Sequence, residues 1–402
     1  MGKVGRISVS GPLAPFAEGF RIELQRLGYT PASRVFKINE MSRLSRWLES
    51  RGLGTGDVST ASVEAFLAGW RVNGRRAPTL KAMKPLLDWL FAQKVIGSEP
   101  PAPRQPVDDL LDEYHQWIAK RGLAARTVKR YKATARRFLA GRCQTAGLAT
   151  GAEDLTGRAV TTFLLAEASR GLAPGSLQCL VGDLRSLLRF LHWKKLTPSA
   201  LAESVPPVPG WKDTTVPPRL AAASVRILVD SCDRATPTGL RDFAMLLLLA
   251  RLGLRAAEVA RLELGDLDWR AGEFVVRGKA RHEDRMPLPT DVGAALSAYL
   301  VQARPRTESR TVFLTVAAPP RPMWPTTVSQ MVWRQCARAG LPPMRAHRLR
   351  HALATDLLDH GVALPEIGQI LRQRDLATTA SYAKVDYSAL RELALPWPVV
   401  TR

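Results

Sequence analysis

Cysteine is scarce in this sequence, and no two cysteines are spaced as a pair. The four residues are Cys143, Cys179, Cys232 and Cys336, and no CxxC motif occurs. This spacing argues against a disulfide framework and against a thiolate metal site. The cysteine pattern fits a reducing compartment such as the cytoplasm.

Long hydrophobic runs are also missing. The longest aliphatic run covers residues 244–250, whereas a helix that crosses a bilayer needs about 20 apolar residues. The first residues, MGKVGRISVSGPLAPF, have no apolar core of the kind that a secretory signal carries. The sequence therefore predicts a protein that is neither exported nor inserted in a membrane.

Acidic residues are too few to balance the basic ones. Asp and Glu number 36 against 58 Lys and Arg, which gives a formal net charge of +22 over 402 residues. Such an excess favours a polyanionic partner, above all nucleic acid, although solvated arginines on a basic protein would give the same count. The 46% hydrophobic content is that of a globular protein with real cores.

Two proline-rich stretches, at residues 99–106 and 205–218, divide the chain into three segments. Segments 1–98 and 107–203 look like divergent copies of one helical (SAM-like) unit, because each carries a VxxFL helix, at residues 63–67 and 160–164. The apolar spacing is helical throughout both segments. Basic residues on the second unit form a candidate DNA-facing surface, or else a solvated face: Arg126, Lys129, Arg130, Lys132, Arg136 and Arg137.

The third segment, residues 219–402, is predicted to be helical around a small β insertion. Residues 266–277 have the pattern of strand, tight turn and strand, and residues 285–289 are predicted to form a third short strand. The expected fold class is therefore mainly α with a small β-sheet: helical N-terminal bundles followed by a mixed α+β domain.

Four short motifs follow one another along the third segment. They are GLRxxE at residues 253–258, Gly-Lys at 278–279, HRLRH at 347–351 and TTASY at 378–382. Together they resemble the catalytic domain of tyrosine recombinases, the phage integrase family. The resemblance is strong over the last 180 residues or so and looser over 107–203, which would be the core-binding domain; residues 1–98 would be an additional DNA- or protein-binding domain.

The resemblance implies strand cleavage by Tyr382, which would form a covalent 3′-phosphotyrosine. Arg255 and Arg350 would bind the non-bridging oxygens of the scissile phosphate, a task for which the planar, permanently charged guanidinium is suited. Lys279 would protonate the leaving 5′ oxygen, and His347 would act as an acid/base or hydrogen-bond donor. Tyr387 is the rival nucleophile, but the TTxxY spacing selects Tyr382.

Supporting roles fall to two neighbours of these residues. Glu258 would orient the structure around Arg255, as an ordinary ion pair three residues along a helix would also do. His351 would help to pack the helix that carries Arg350. The two histidines, four residues apart, could also suggest a metal site, but Arg348 stands where a zinc protease has glutamate. We therefore expect no metal and no other cofactor.

One departure from the family pattern concerns the segment before the nucleophile. The family usually shows Leu-Gly-His, whereas this chain has Leu371, Arg372 and Gln373. Gln373 can donate a hydrogen bond to a phosphate but cannot titrate. Gln373 motivates one alternative to a fully active recombinase, a catalytically weak accessory recombinase in a complex of several recombinases. A second alternative, a relaxing enzyme of the type IB topoisomerase kind, shares the same chemistry.

The partners implied are double-stranded DNA and further copies of the chain, assembled as a tetramer on DNA. The expected role is integration, excision or transposition of mobile DNA. Co-encoded recombinases are a further partner class, and the expected location is the bacterial cytoplasm, in association with the nucleoid.

Overall fold

The computed structural model describes residues 8–72, 79–97, 104–197, 200–208, 220–278 and 282–373, apart from the side chains of residues 70–72. Packing divides the chain into two compact units. One unit consists of residues 1–98 and 215–402, and the other consists of residues 99–214. The three segments expected from the sequence each contain a buried hydrophobic cluster of their own.

Residues 8–72 and 79–97 form a helical bundle around Phe20, Met41 and Leu90, all of which are fully buried. Threonine hydroxyls begin two of its helices: Thr30 Oγ1 accepts a hydrogen bond from the Ser33 amide, and Thr79 Oγ1 accepts one from the Ala82 amide, both at 3.3 Å. The helices are α1 (Ala17–Arg26), α2 (Pro31–Ser50), α3 (Thr60–Val72) and α4 (Leu80–Ala92).

Residues 104–197 and 200–208 form a second helical bundle, whose centre is the buried Tyr114. Its hydroxyl donates to Ser186 Oγ at 3.0 Å, and its ring lies 5.2 Å from that of Phe190. The helices are α5 (Pro106–Ala119), α6 (Ala125–Ala146), α7 (Gly157–Ala168) and α8 (Pro174–Trp193).

Each bundle contains an edge-to-face pair of aromatic rings, and the two pairs lie at corresponding helix positions. In the first bundle Trp47 on α2 meets Phe66 on α3 with ring centres 5.9 Å apart, edge to face. In the second, Phe138 on α6 meets Phe163 on α7 at 5.0 Å, again edge to face. Both Phe66 and Phe163 belong to the VxxFL motifs. The sequence repeat thus corresponds to equivalent packing inside each bundle.

The described part of the third segment is helical with one three-stranded antiparallel sheet, so the predicted fold class is confirmed. Its core is built on one helix, α10 (Pro237–Arg251), where Ala244, Met245, Leu246, Leu248 and Leu249 are fully buried. None of the helices in the described part of the chain is long and apolar enough to cross a membrane. The helices are α9 (Ala222–Asp230), α10 (Pro237–Arg251), α11 (Ala256–Arg261), α12 (Thr290–Gln302), α13 (Pro325–Arg338), α14 (His347–Asp359) and α15 (Leu364–Ile370).

The sheet has the order β1-β2-β3, with β1 at Leu267–Asp268, β2 at Glu273–Arg277 and β3 at Glu283–Pro287. Phe274 pairs with Leu267 on one side and with Met286 on the other. Phe274 and Val276 point into the core, and their neighbours on β2 do not, which is the alternation expected of a strand with one buried face. The predicted third strand was placed two residues too late.

Candidate active site

Arg255 lies immediately before α11, and Glu258 fixes it there. Glu258 Oε2 accepts a hydrogen bond from the Arg255 backbone amide at 2.8 Å, and Oε1 accepts one from Arg255 Nη1 at 2.6 Å. The contact was predicted as a pair on one helix face, but it arises from capping, since Arg255 precedes the first turn of α11. The Glu258 side chain is buried, whereas that of Arg255 is 43% exposed. Arg255 therefore presents a positioned guanidinium to solvent.

Arg350, on the first turn of α14, is 1% exposed. Its Nη1 donates to the Gly253 carbonyl at 2.6 Å, and its Nη2 donates to the Leu371 carbonyl. Gly253 has a φ of +59°, and a Cβ there would lie 2.6 Å from a methyl group of Leu371. Glycine is thus favoured both by the left-handed backbone and by the close approach. Arg350 joins the segment before Arg255 to the end of α15.

His347 is the first residue of α14, and His351 follows one turn later. Their rings are perpendicular, with centres 4.4 Å apart. Partial removal from solvent, together with the positive charges of Arg350 and Arg255, lowers the pKa of His347. Burial and the neighbouring His347 lower the pKa of His351 to about 4. Both imidazoles are therefore neutral near pH 7, and His347 lies close enough to both arginines for their charges to act on it.

Arg372 is the residue that sequence reasoning missed. It follows α15, and its Nη2 lies 3.0 Å from Glu258 Oε2, with side chains 7% and 4% exposed. The same carboxylate thus binds Arg255 and Arg372. Burial alone would raise the pKa of Glu258, but the Arg255 backbone amide and the charges of Arg372 and Arg255 lower it below the usual range. The only signal in the sequence is the departure from Leu-Gly-His, which draws attention to Gln373 instead.

Gln373 is half-buried, and its backbone amide donates to the Gly368 carbonyl at 2.8 Å. It is adjacent to Arg372 and two residues from Leu371, whose carbonyl binds Arg350. Its role at the phosphate stays a prediction. Lys279, Tyr382 and the rival Tyr387 lie outside the described residues.

The basic residues of α6 differ in what they contact. Arg130 binds the buried Asp183 through two nitrogens, with a shortest distance of 2.8 Å, and Arg137 binds the buried Glu167 at 2.8 Å. Lys132 and Arg136 pair with carboxylates of α5, namely those of Asp112 and Asp108.

Arg126 and Lys129, by contrast, are exposed and form no ion pair with any other residue that the structure describes. Within the predicted DNA-facing surface, these two side chains are the ones not engaged by carboxylates of the same bundle. The assignment of the surface to DNA stays a prediction.

A group of three or more His, Cys, Asp or Glu side chains that could hold a metal ion is not present among the described residues. The polar groups of the site are instead mostly cationic or neutral: Arg255, Arg350, Arg372 and His347, with Glu258 as the carboxylate that binds two of them. Such a set favours an anionic ligand such as a phosphate.

Comparison with known proteins gives a family for this arrangement. The phage integrase family model matches residues 218–389. A putative integrase/recombinase of Sinorhizobium fredii, y4rA, is 37% identical over 394 residues, which cover 96% of this chain and 95% of the relative. The chain belongs to the phage integrase family. It is a tyrosine recombinase, an enzyme of site-specific DNA recombination.

Solved structures agree with this assignment at the level of the fold. A XerH site-specific recombinase bound to a palindromic difH substrate, in a post-cleavage complex, has a TM-score of 0.53 at 14% identity and covers 97% of both chains. A lambda integrase tetramer bound to a Holliday junction has a TM-score of 0.52 at 17% identity, over 77% of this chain and 88% of the other. The comparisons thus favour a recombinase over the accessory and topoisomerase alternatives.

Proposed function

We propose that this recombinase cleaves one DNA strand with Tyr382 while Arg255, Arg350 and His347 hold the scissile phosphate. The observation that carries the proposal is the grouping of these last three residues. Arg350 hydrogen-bonds to the carbonyl of Gly253, two residues before Arg255, and both arginine charges act on His347. Separate stretches of sequence therefore converge on one cationic site.

The proposed reaction exchanges one phosphodiester bond for another. The Tyr382 hydroxyl releases its proton to solvent as its oxygen attacks phosphorus, the bond from phosphorus to the 5′ oxygen breaks, and Lys279 supplies the proton that the leaving oxygen takes up. The products are a 3′-phosphotyrosine and a free 5′ hydroxyl. Because one phosphodiester bond replaces another, a second strand's 5′ hydroxyl reverses the step and releases Tyr382 without ATP.

The charges of the site match what this step requires. The five-coordinate transition state carries extra negative charge on its non-bridging oxygens, and fixed cationic donors stabilise it more than the ground state. Arg255 is positioned by Glu258 and open to solvent, so we assign it the direct contact with the phosphate. Arg350 is buried, with its guanidinium held by the carbonyls of Gly253 and Leu371. His347, held neutral, serves as a hydrogen-bond donor.

We further propose that the chain binds double-stranded DNA and acts as a tetramer, for integration, excision or transposition of mobile DNA. The net charge of +22 and the exposed cations Arg126 and Lys129 of α6 support the DNA partner. The tetramer rests on the likeness to a family member solved in that state. Co-encoded recombinases stay a further proposal.

The test is capture of the covalent intermediate on genomic DNA, which requires no chosen target site. Purified protein is incubated with sheared DNA of the encoding organism, and the reaction is stopped with detergent. Potassium then precipitates the protein together with any DNA attached to it, and the attached DNA ends are sequenced. We expect recurrent end positions, which would also identify the site. Tyr382→Phe should capture no DNA while still binding it, and Tyr387→Phe, the matched control, should behave as wild type. Capture by Tyr382→Phe would refute the assignment.

A further inference from the structure

The end of α15 has an unusual residue at a position that favours glycine. Arg372 has a φ of +53°; its amide donates to the Gln369 carbonyl at 2.9 Å, and the Gln373 amide donates to the Gly368 carbonyl at 2.8 Å. These two bonds define a Schellman helix end, at which glycine is preferred because an L side chain is strained there.

Among the described residues, two other helices end in this way on a residue other than glycine, and they show what the backbone conformation alone implies. Lys94 after α4 and Lys195 after α8 have φ values of +57° and +60° with the same pair of backbone hydrogen bonds. Both lysines are exposed. The chain therefore tolerates long side chains at such helix ends, so the backbone conformation alone assigns no role to Arg372.

The Arg372 side chain differs from those lysines in being buried and ion-paired. It reaches Glu258, 114 residues earlier in the sequence, with Nη2 and Oε2 3.0 Å apart, and its Nη1 contacts the Met286 sulfur on β3. Glu258 in turn holds both the backbone amide and the guanidinium of Arg255. Glu258 thus links Arg372 to Arg255, the residue whose guanidinium faces solvent.

The charges of this trio explain what Arg372 adds. Arg255 and Glu258 alone would form a neutral pair, whose carboxylate would oppose the approach of a phosphate. With Arg372 on the other side of the carboxylate, the trio carries a net positive charge. A buried carboxylate shared between two guanidiniums can orient Arg255 without cancelling its charge.

We propose that Arg372 is a positioning residue for Arg255: it compensates the charge of Glu258, so that Arg255 stays oriented and positively charged toward the DNA phosphate. The proposal rests on the proposed function of the site. It assigns to Arg372 a role in the rate of cleavage without direct contact with DNA.

A double-mutant cycle on the full-length protein tests this role. The rate of covalent adduct formation is measured at the identified site for wild type, Arg372→Gly, Glu258→Gln and the double variant, below the unfolding temperature of each. Loss of a direct transition-state donor costs about 10²–10³-fold, so for this indirect effect we expect a smaller loss, about tenfold, in Arg372→Gly. In the Glu258→Gln background the same change should cost much less, because the charge to be compensated is gone.

Two further variants separate charge from backbone and shape. Arg372→Lys should restore most of the rate, because an ammonium can still pair with Glu258, whereas a side chain that merely filled space would give no such rescue. Lys94→Gly, the matched change at an exposed helix end, should cleave at the wild-type rate. A wild-type rate in Arg372→Gly, equal losses in both Glu258 backgrounds, or no rescue by lysine would each overturn the proposal.

Failure of the proposed function gives a different pattern. If wild type forms no adduct, the proposed function fails, and the coupling between Arg372 and Glu258 is then measured from the free energies of unfolding of the same four proteins. A coupling of zero there would overturn the Arg372 role as well, and a clear coupling would support the ion pair on which it depends.

Discussion

Arg255 and Arg350 should respond differently to replacement by lysine, although both changes keep the charge. Arg255 is 43% exposed, and a lysine can keep an ion pair with Glu258. A partly exposed pair of this kind contributes about 0–1 kcal/mol, so Arg255→Lys should unfold near the wild-type temperature. It should nevertheless lose about 10²–10³-fold in cleavage rate, because lysine has no two-pronged donor.

Arg350→Lys should lose both activity and stability. The buried guanidinium donates to the carbonyls of Gly253 and Leu371 through two different nitrogens, and a single ammonium nitrogen cannot reproduce that geometry. One buried carbonyl left without its partner costs about 1–3 kcal/mol. At about 2–4 °C per kcal/mol for a domain of this size, the unfolding temperature should fall by several degrees.

The assay measures the rate of adduct formation on a nicked substrate that prevents religation, at a temperature where all three proteins are folded, together with thermal unfolding of each. Near-normal cleavage by Arg255→Lys would refute the direct contact with the phosphate. An unchanged unfolding temperature in Arg350→Lys would refute the role of its two carbonyl bonds.

Three other predictions concern the DNA-facing surface, pH and metal ions. Replacement of both Arg126 and Lys129 by alanine should weaken DNA binding and reduce its salt dependence by about 0.9 in log–log slope for each phosphate that is no longer neutralised; Arg130→Ala should instead lower the free energy of unfolding by about 1–3 kcal/mol, since it leaves the buried Asp183 without its guanidinium. His351, whose pKa is about 4 in the folded protein against about 6.5 when unfolded, contributes stability that is present above pH 6.5 and disappears as the pH falls toward 4. Denaturant titrations should therefore show a shallower decline over this range in His351→Gln, and parallel curves would contradict the assignment. Adduct formation by a preassembled complex should continue in EDTA, because arginine and lysine supply the positive charge; loss on chelation with recovery on adding a divalent metal would contradict this.

The parts of the structure that were predictable from the sequence follow local rules. The strand, tight turn and strand pattern of residues 266–277 predicted the strand that carries Phe274, and the VxxFL motifs predicted two similar helical bundles. Spacing along one element carries this kind of information, because the neighbours that matter lie within a few residues.

The contacts that were not predictable join residues far apart in sequence. The pairing of Arg372 with Glu258 spans 114 residues, and nothing in the local pattern distinguishes Arg372 from Lys94 or Lys195 at equivalent helix ends. The contacts of the basic residues on α6 could not be predicted for the same reason. Arg130 pairs with Asp183 only because α8 packs against α6. Burial selects among many possible partners, and burial is a property of the whole fold.

The most direct test of the central claim is to identify the residue that becomes attached to DNA. Nuclease-trimmed adduct is digested with trypsin, which separates the two candidate tyrosines because cleavage after Arg374 and Lys384 leaves Tyr382 in residues 375–384 and Tyr387 in residues 385–391. Mass spectrometry should find the nucleotide remnant on the first peptide, with its fragment ions placing the remnant on Tyr382. The DNA end on the other side of the break should carry a free 5′ hydroxyl. A remnant on the second peptide, or a 5′-linked phosphate, would contradict the account.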